Sequence, residues 1–354
     1  MADAMATNQS EIELRPYPPS WVDRFTDWVD RLPGPAWLFY VVLGLVLYLI
    51  EVVIQWSTGA WGEFHSFQLI FISFIPYQLA LIHYLDRQAD AALNQFRPSL
   101  TATDTEYADL RYRLTTMSPL PALVAGVIGI VVGILTFSAI PVSLLAEVTF
   151  ITSAPLSVLF NQIIILVVNF ILFVFLYHTW RQLRLASIIY ERYTQVDLFR
   201  LGPLYAFSTL SAYTALGMLP IAYSLVFIVS ELFRLLPINW FTAIFMLIAA
   251  FTFIRPLTGI HRLLAEEKER LLDESGQRLK TSIAELHRRV DSGDIADMDN
   301  LNKVMASLEI EQAALKRIST WPWQPETPRW LVAALLFPLL LWLLQRLLQR
   351  ALGS

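Results

Sequence analysis

Residues 255–329 read RPLTGIHRLLAEEKERLLDESGQRLKTSIAELHRRVDSGDIADMDNLNKVMASLEIEQAALKRISTWPWQPETPR, and they form the one long water-compatible stretch of the chain. Six apolar spans precede it and one follows. Within it Leu279, Ile283, Leu286 and Val290 recur at four-three-four spacing, and Leu301, Met305, Leu308, Gln312 and Leu315 do so after the turn DSGD. That pattern predicts a helical hairpin with an apolar seam on each arm. All four lysines lie in this stretch, as a solvated surface requires. Trp321-Pro322-Trp323-Gln324-Pro325 then stiffens the exit and places tryptophan where a headgroup layer would be.

Outward from the hairpin, 56% of the 354 residues are hydrophobic, and mean hydropathy is +0.51. This is more apolar side chain than a soluble core of that size takes up. A hydrocarbon layer about 30 Å thick needs about 20 apolar residues of helix. Seven stretches qualify: 36–56, 66–84, 119–140, 156–180, 203–230, 236–254 and 330–348, the last with only sixteen residues between Arg329 and Arg346. The expected fold is all-α, a polytopic membrane protein with seven transmembrane helices and a cytoplasmic helical hairpin between helices six and seven.

Charge placement sets the expected orientation. With the N-terminus inside, 23 of the 26 Lys and Arg residues fall on the cytoplasmic side, leaving Arg234, Arg346 and Arg350 outside. The positive-inside rule therefore predicts N-terminus inside and C-terminus outside. The last two arginines support a rival with six spans and an in-plane C-terminal helix. The first residues lack a basic n-region and a short apolar h-region, so the first span is expected to insert uncleaved. The layout divides into a cytoplasmic N-terminus (1–35), a six-helix bundle (36–256), the hairpin (257–329) and a seventh helix (330–354).

In residues 20–32, Trp21, Phe25, Trp28, Val29 and Leu32 share a face, with Asp23 and Asp27 on others. The spacing predicts an amphipathic helix on the membrane surface, or packed on the protein itself, begun by a Ser20/Asp23 capping box. Spans two and four are expected to run on past the membrane, with FRPSL breaking the former before a second helix starts at TDTEYADL.

Polar groups inside spans are costly and mark candidate sites: here Glu51, Asn161, Gln162 and Asn169. Each could equally bond to a neighbouring helix. Ala125, Gly129 and Gly133 at intervals of four predict a close helix contact. Ser208, Thr209, Ser211 and Thr214 are expected to bond to their own helix, and Gly217 and Pro220 to break it. His83, His178 and His261 fall at the expected cytoplasmic ends of even-numbered spans. No two share ligand spacing within one helix, so no metal is assigned. With no cysteine there is no disulfide or thiolate metal site. HExxH, GxSxG, Walker and GxGxxG patterns are absent, so no enzyme chemistry or cofactor is implied. The near-neutral charge balance argues against a nucleic-acid partner.

The layout resembles that of the insect odorant and gustatory receptor-like channels: seven spans, N-terminus inside, helices lengthened into the cytoplasm and a helical insertion before the last span. That resemblance implies a homo-oligomeric ion channel, a tetramer, joined through the hairpin, with the last helix lining the pore. Leu341, Leu344 and Gln345 would then form the gate. A small, mostly apolar ligand would sit among Phe71, Phe74, Phe160, Asn161 and Trp240. Locally, FRPSL, TTMSP and WPWQP look like uncharacterised bacterial membrane proteins, which implies a multi-pass protein of a bacterial inner membrane. Two other classes stay open. One is a secondary transporter whose inverted halves, spans one to three and four to six, each carry a proline (Pro76, Pro220) in the second helix. The other is a sensor or scaffold whose hairpin docks a soluble partner.

Overall fold

The computed structural model describes residues 16–64, 66–138, 154–228, 238–293 and 298–321, with Ala333. Every regular element among them is helical: α1 (Trp21–Asp30), α2 (Ala36–Ser57), α3 (Ser66–Phe96), α4 (Asp104–Thr115), α5 (Pro119–Ser138), α6 (Pro155–Arg192), α7 (Ala206–Ile228), α8 (Ile238–Ser292) and α9 (Met298–Arg317). Five helical stretches, centred on α2, α3, α5, α6 and α7, are long and apolar enough to cross a membrane. The expected sixth span lies in the first part of α8, where most side chains are not described. The expected seventh, with Leu341, Leu344 and Gln345, lies outside the described residues.

Lone rows of large apolar side chains stay exposed on two helices: Leu38, Val41, Val42, Leu45, Leu49 and Val53 on α2, and Leu123, Val127, Ile134 and Leu135 on α5. In water such faces would have to be covered; in a bilayer they meet lipid. Aromatic groups collect at both ends of α2. Trp28 stands edge-on to Phe39 with ring centroids 5.3 Å apart, and at the other end Trp56 packs on Trp61 at 5.0 Å. Such belts suit the two headgroup layers.

α3 is the centre of the bundle, touching α2, α6 and α7, while α5 lies along α6 and α8 along α7. Pro76 and Pro220 both sit inside continuous helices, so the expected break at Gly217 and Pro220 does not occur. The α3–α7 contact explains how: Gly217 leaves room for Leu81, and its carbonyl accepts a 2.7 Å bond from Tyr77 OH. Ser211 and Thr214 bond back to carbonyls of α7 as expected, and Ser208 to the Tyr205 carbonyl of the turn that leads into it. The extended ends of α3 and α6 are sewn together beyond the spans: Thr101 N donates to Tyr193 O and Gln195 N to Ser99 O, both at 2.9 Å. Phe96, Tyr190 and Phe207 fill the space behind this seam, each ring 5.3–5.5 Å from the next. Aromatic pairs of this kind add about 0.5–1.5 kcal/mol each beyond area burial.

The hairpin differs from its expected form in two ways. Its first arm is not a separate element but the continuation of α8, one 55-residue helix. Its seam also runs differently: Leu308 and Leu315 of α9 are buried as expected, yet Ile283 and Val290 of α8 are exposed, while Ser275 is buried and Gly276 faces Gln312. Near the bundle, Lys268 Nζ donates to the Lys316 and Ile318 carbonyls and caps the end of α9, and His261 stacks on Trp321 at 4.1 Å.

Candidate functional site

Two buried polar clusters stand out, one inside the spans and one at the end of the bundle where α1 lies. The first is built on Glu51. Residue 51 falls six residues before the end of α2, about 9 Å of helix from Ser57, so it lies within the apolar length of the span. Its side chain is fully enclosed. Gln55, one turn on, and Asn161, on α6, each donate to Glu51 Oε1 at 2.8 Å. Asn161 also donates to the Ser157 carbonyl at 3.0 Å, which fixes its amide. Glu51 Oε2 and Ser157 Oγ are buried without a hydrogen-bond partner.

That pair of unmet atoms decides what the site can do. A carboxylate at Oε2 lacks a donor; a carboxylic acid there lacks an acceptor for its proton. A polar group buried unpaired costs about 1–3 kcal/mol, and an ionisable one more. A cation, or a proton shared with a bound polar solute, would remove the deficit in either state. Nearer the middle of α3, Gln78 is also fully buried with neither amide atom bonded, and α3 faces α7 here with the enclosed hydroxyls of Ser211 and Thr214.

Sequence reasoning picked Glu51 and Asn161, and the structure brings them together. Asn169 is elsewhere, bonded to the Ile165 carbonyl and packed under Gly129 and Gly133. Of the aromatic residues expected to line a ligand pocket, Phe71 and Phe74 pack on each other at 6.0 Å, with Phe74 buried and Phe71 half-buried. Phe160 is half-buried against the core. Trp240 begins α8, and its side chain is not described.

The second cluster went unread in the sequence. α1 is not laid on the membrane by the expected stripe alone: Val22, Thr26 and Val29 face the bundle, and Asp23, expected on a polar face, is buried with them. The capping box is present, Ser20 N donating to Asp23 Oδ2 at 2.8 Å and Asp23 N to Ser20 Oγ at 3.4 Å. Asp23 is drawn in because its Oδ2 also accepts from Met117 N at 3.0 Å, which ties α1 to the start of α5. Below it, Asp86 Oδ1 holds His178 Nε2 at 2.8 Å and Gln182 Nε2 at 3.2 Å. His83 Nδ1 pairs with Tyr40 OH at 3.0 Å, and its Nε2 lies 3.0 Å from Asp30 but off hydrogen-bond geometry. The sequence shows His83 and His178 at helix ends, but the carboxylates they meet are 53 and 92 residues away in the chain. Among the described residues no three His, Asp or Glu side chains converge as metal ligands.

Burial pushes the Asp23 carboxyl up to about 6, with the Asp86 charge adding to it and the bonds from Ser20 and Met117 opposing it. The folded protein therefore holds this proton longer than the unfolded chain does. The stability so contributed is complete below about pH 4 and is lost as pH rises through about 6. Asp23→Asn keeps an amide oxygen for both backbone donors. It should flatten this component, about 2–3 kcal/mol, as read from thermal unfolding of the two proteins between about pH 4 and 7. Parallel pH profiles would show that Asp23 does not titrate in that window.

The described residues thus define a class, all-helical with five helices long and apolar enough to cross a membrane. No family model, curated protein or solved structure matches the chain.

Proposed function

We propose that the protein is a secondary transporter of a small cation, the proton included, with Glu51 as the binding carboxylate. The observation that carries this reading is the enclosed, unpaired Oε2 of Glu51 inside a membrane span, beside the unpaired Ser157 hydroxyl. Intramembrane carboxylates that face the bundle interior serve ion and proton pathways, because nothing else repays their burial. Seven spans with the N-terminus inside a bacterial inner membrane complete the reading.

Purified protein in liposomes should dissipate an imposed proton or sodium gradient faster than empty liposomes, with a rate that saturates in the cation. Equal rates for both gradients with and without protein would remove the reading.

A second reading, the homo-oligomeric channel, is favoured by one observation: Ile283 and Val290, seven residues apart on α8, are exposed on a hairpin that projects beyond the bundle. Heptad spacing of apolar residues suits a seam with a second copy of the hairpin. The particle mass in nanodiscs separates the two, a closed ring of four chains with unsaturable conductance supporting the channel.

A further inference from the structure

α1 sorts its charges by face. Its three carboxylates, Asp23, Asp27 and Asp30, line a cleft against α3 and α4, where Arg87 and Arg111 also lie. Its own arginine, Arg24, and Arg31 at its C-terminal cap lie on another stripe, with Trp21 and Trp28. From this arrangement we infer that the outer stripe of α1 is a docking surface for phospholipids of net negative charge. The inference is independent of the Glu51 reading.

Positions 21, 24, 28 and 31 are three, four and three apart, so they stack along one side of the helix. All four side chains are exposed, Trp21 at 36% and Trp28 at 48%. Arg87 and Arg111 in the cleft are committed to Asp30 and Asp90. Neither Arg24 nor Arg31 has a carboxylate partner among the described residues, although Asp27 stands one turn from each. Two guanidinium forks are thus left for an outside partner, and their planar donors match the oxygens of a phosphate.

The tryptophans decide what kind of partner that is. Trp21 packs on Phe170 of α6 with ring centroids 5.6 Å apart, and Trp28 on Phe39 of α2. Both contacts are with helices apolar enough to cross a membrane, so the stripe abuts the exposed apolar surface of Trp37, Leu38 and Val41. A soluble partner on this stripe would leave that surface uncovered. A lipid meets both at once, with acyl chains on α2 and a headgroup at the arginines. The same pairing recurs on α6 at this end of the bundle: Arg184 lies 5.3 Å over the ring of Trp180, which is exposed, and Arg184 too lacks a carboxylate partner among the described residues. A zwitterionic headgroup neutralises its own phosphate, whereas an anionic one leaves that charge to the guanidinium, about fivefold in affinity per arginine.

Full-length protein in a neutral detergent, offered equal amounts of phosphatidylglycerol and phosphatidylcholine, should retain the former about tenfold or more in preference, as read by native mass spectrometry. Arg24→Gln and Arg31→Gln, both at exposed positions, should each lower that preference about fivefold, and Arg262→Gln on the hairpin arm should not change it. The chain has no cysteine, so Trp28→Cys gives a single thiol on the stripe. In phosphatidylglycerol nanodiscs it should react with a membrane-impermeant maleimide about tenfold more slowly than Ser292→Cys at the exposed hairpin tip. Equal retention of the two lipids, a preference unchanged when both arginines are replaced, or an equal loss in Arg262→Gln would each overturn the assignment. Equal reactivity of the two thiols would do so too, because the stripe would then face water or a soluble partner. None of these readouts involves transport, so their failure leaves the Glu51 reading untouched, and failure of cation flux leaves this surface standing.

Discussion

Glu51→Gln is expected to cut gradient-driven cation flux about a hundredfold while leaving the bundle as stable as before or more so. The substitution is nearly isosteric, and the amide oxygen still accepts from Gln55 and Asn161, whose donors sit 2.8 Å from Oε1. What it removes is the negative charge beside the unpaired Oε2 and Ser157 Oγ. A hydrogen bond or ion contact to a buried charge contributes about 1.5–3 kcal/mol, and the upper end of that range is about a hundredfold in occupancy. Stability should not fall, because a neutral amide escapes the cost of holding an ionisable group in a span, about 2.5–3.5 kcal/mol on insertion scales. Asn161→Ala is a graded companion: it leaves Oε1 with one donor and should weaken cation binding less than the loss of the carboxyl does. Flux in proteoliposomes and thermal unfolding of each variant check both halves. Full flux from folded Glu51→Gln would reduce Glu51 to a structural hydrogen-bond acceptor.

The elements were legible in the sequence wherever a local rule set them. The capping box at Ser20, the break at FRPSL, the restart at TDTEYADL and the long run of α6 after Pro155 without proline or glycine are all decided within a few residues. Sites that depend on tertiary pairing were legible only in part. Glu51 and Asn161 announce themselves as polar residues in apolar spans, but their bond closes 110 residues of chain. Asp23 reads as the polar face of an amphipathic helix, because its reason for burial, the Met117 amide, lies 94 residues away. On the hairpin, apolar spacing alone put Ile283 and Val290 in the seam, whereas Ser275, which is buried, carries no hydrophobic signal at all.

The second large effect is expected at Gly129, where replacement by alanine should destabilise the protein by about 1–3 kcal/mol, the range for overpacking a tight contact. A Cβ there would lie 2.4 Å from the Asn169 carbonyl oxygen and 2.9 Å from its carbon. Those are backbone atoms of α6, so no side-chain rotation relieves the clash; α5 and α6 must separate by about an ångström along a contact held by close packing. Neighbouring glycines provide the scale. At Gly44 the added carbon would meet only Pro76 Cγ, at 3.3 Å, and at Gly126 it would meet the Phe170 ring, a side chain that can swing. Gly44→Ala should therefore cost little and Gly126→Ala less than its 2.2 Å approach implies. Because Asn161 lies about two turns from Asn169 on the same helix, a shift of α6 also disturbs the Asn161–Glu51 bond. Gly129→Ala should for that reason lower cation flux as well as the unfolding temperature, and Gly44→Ala should lower neither. A Gly129→Ala protein with unchanged unfolding temperature would mean that α5 does not lie this close to α6 in the membrane.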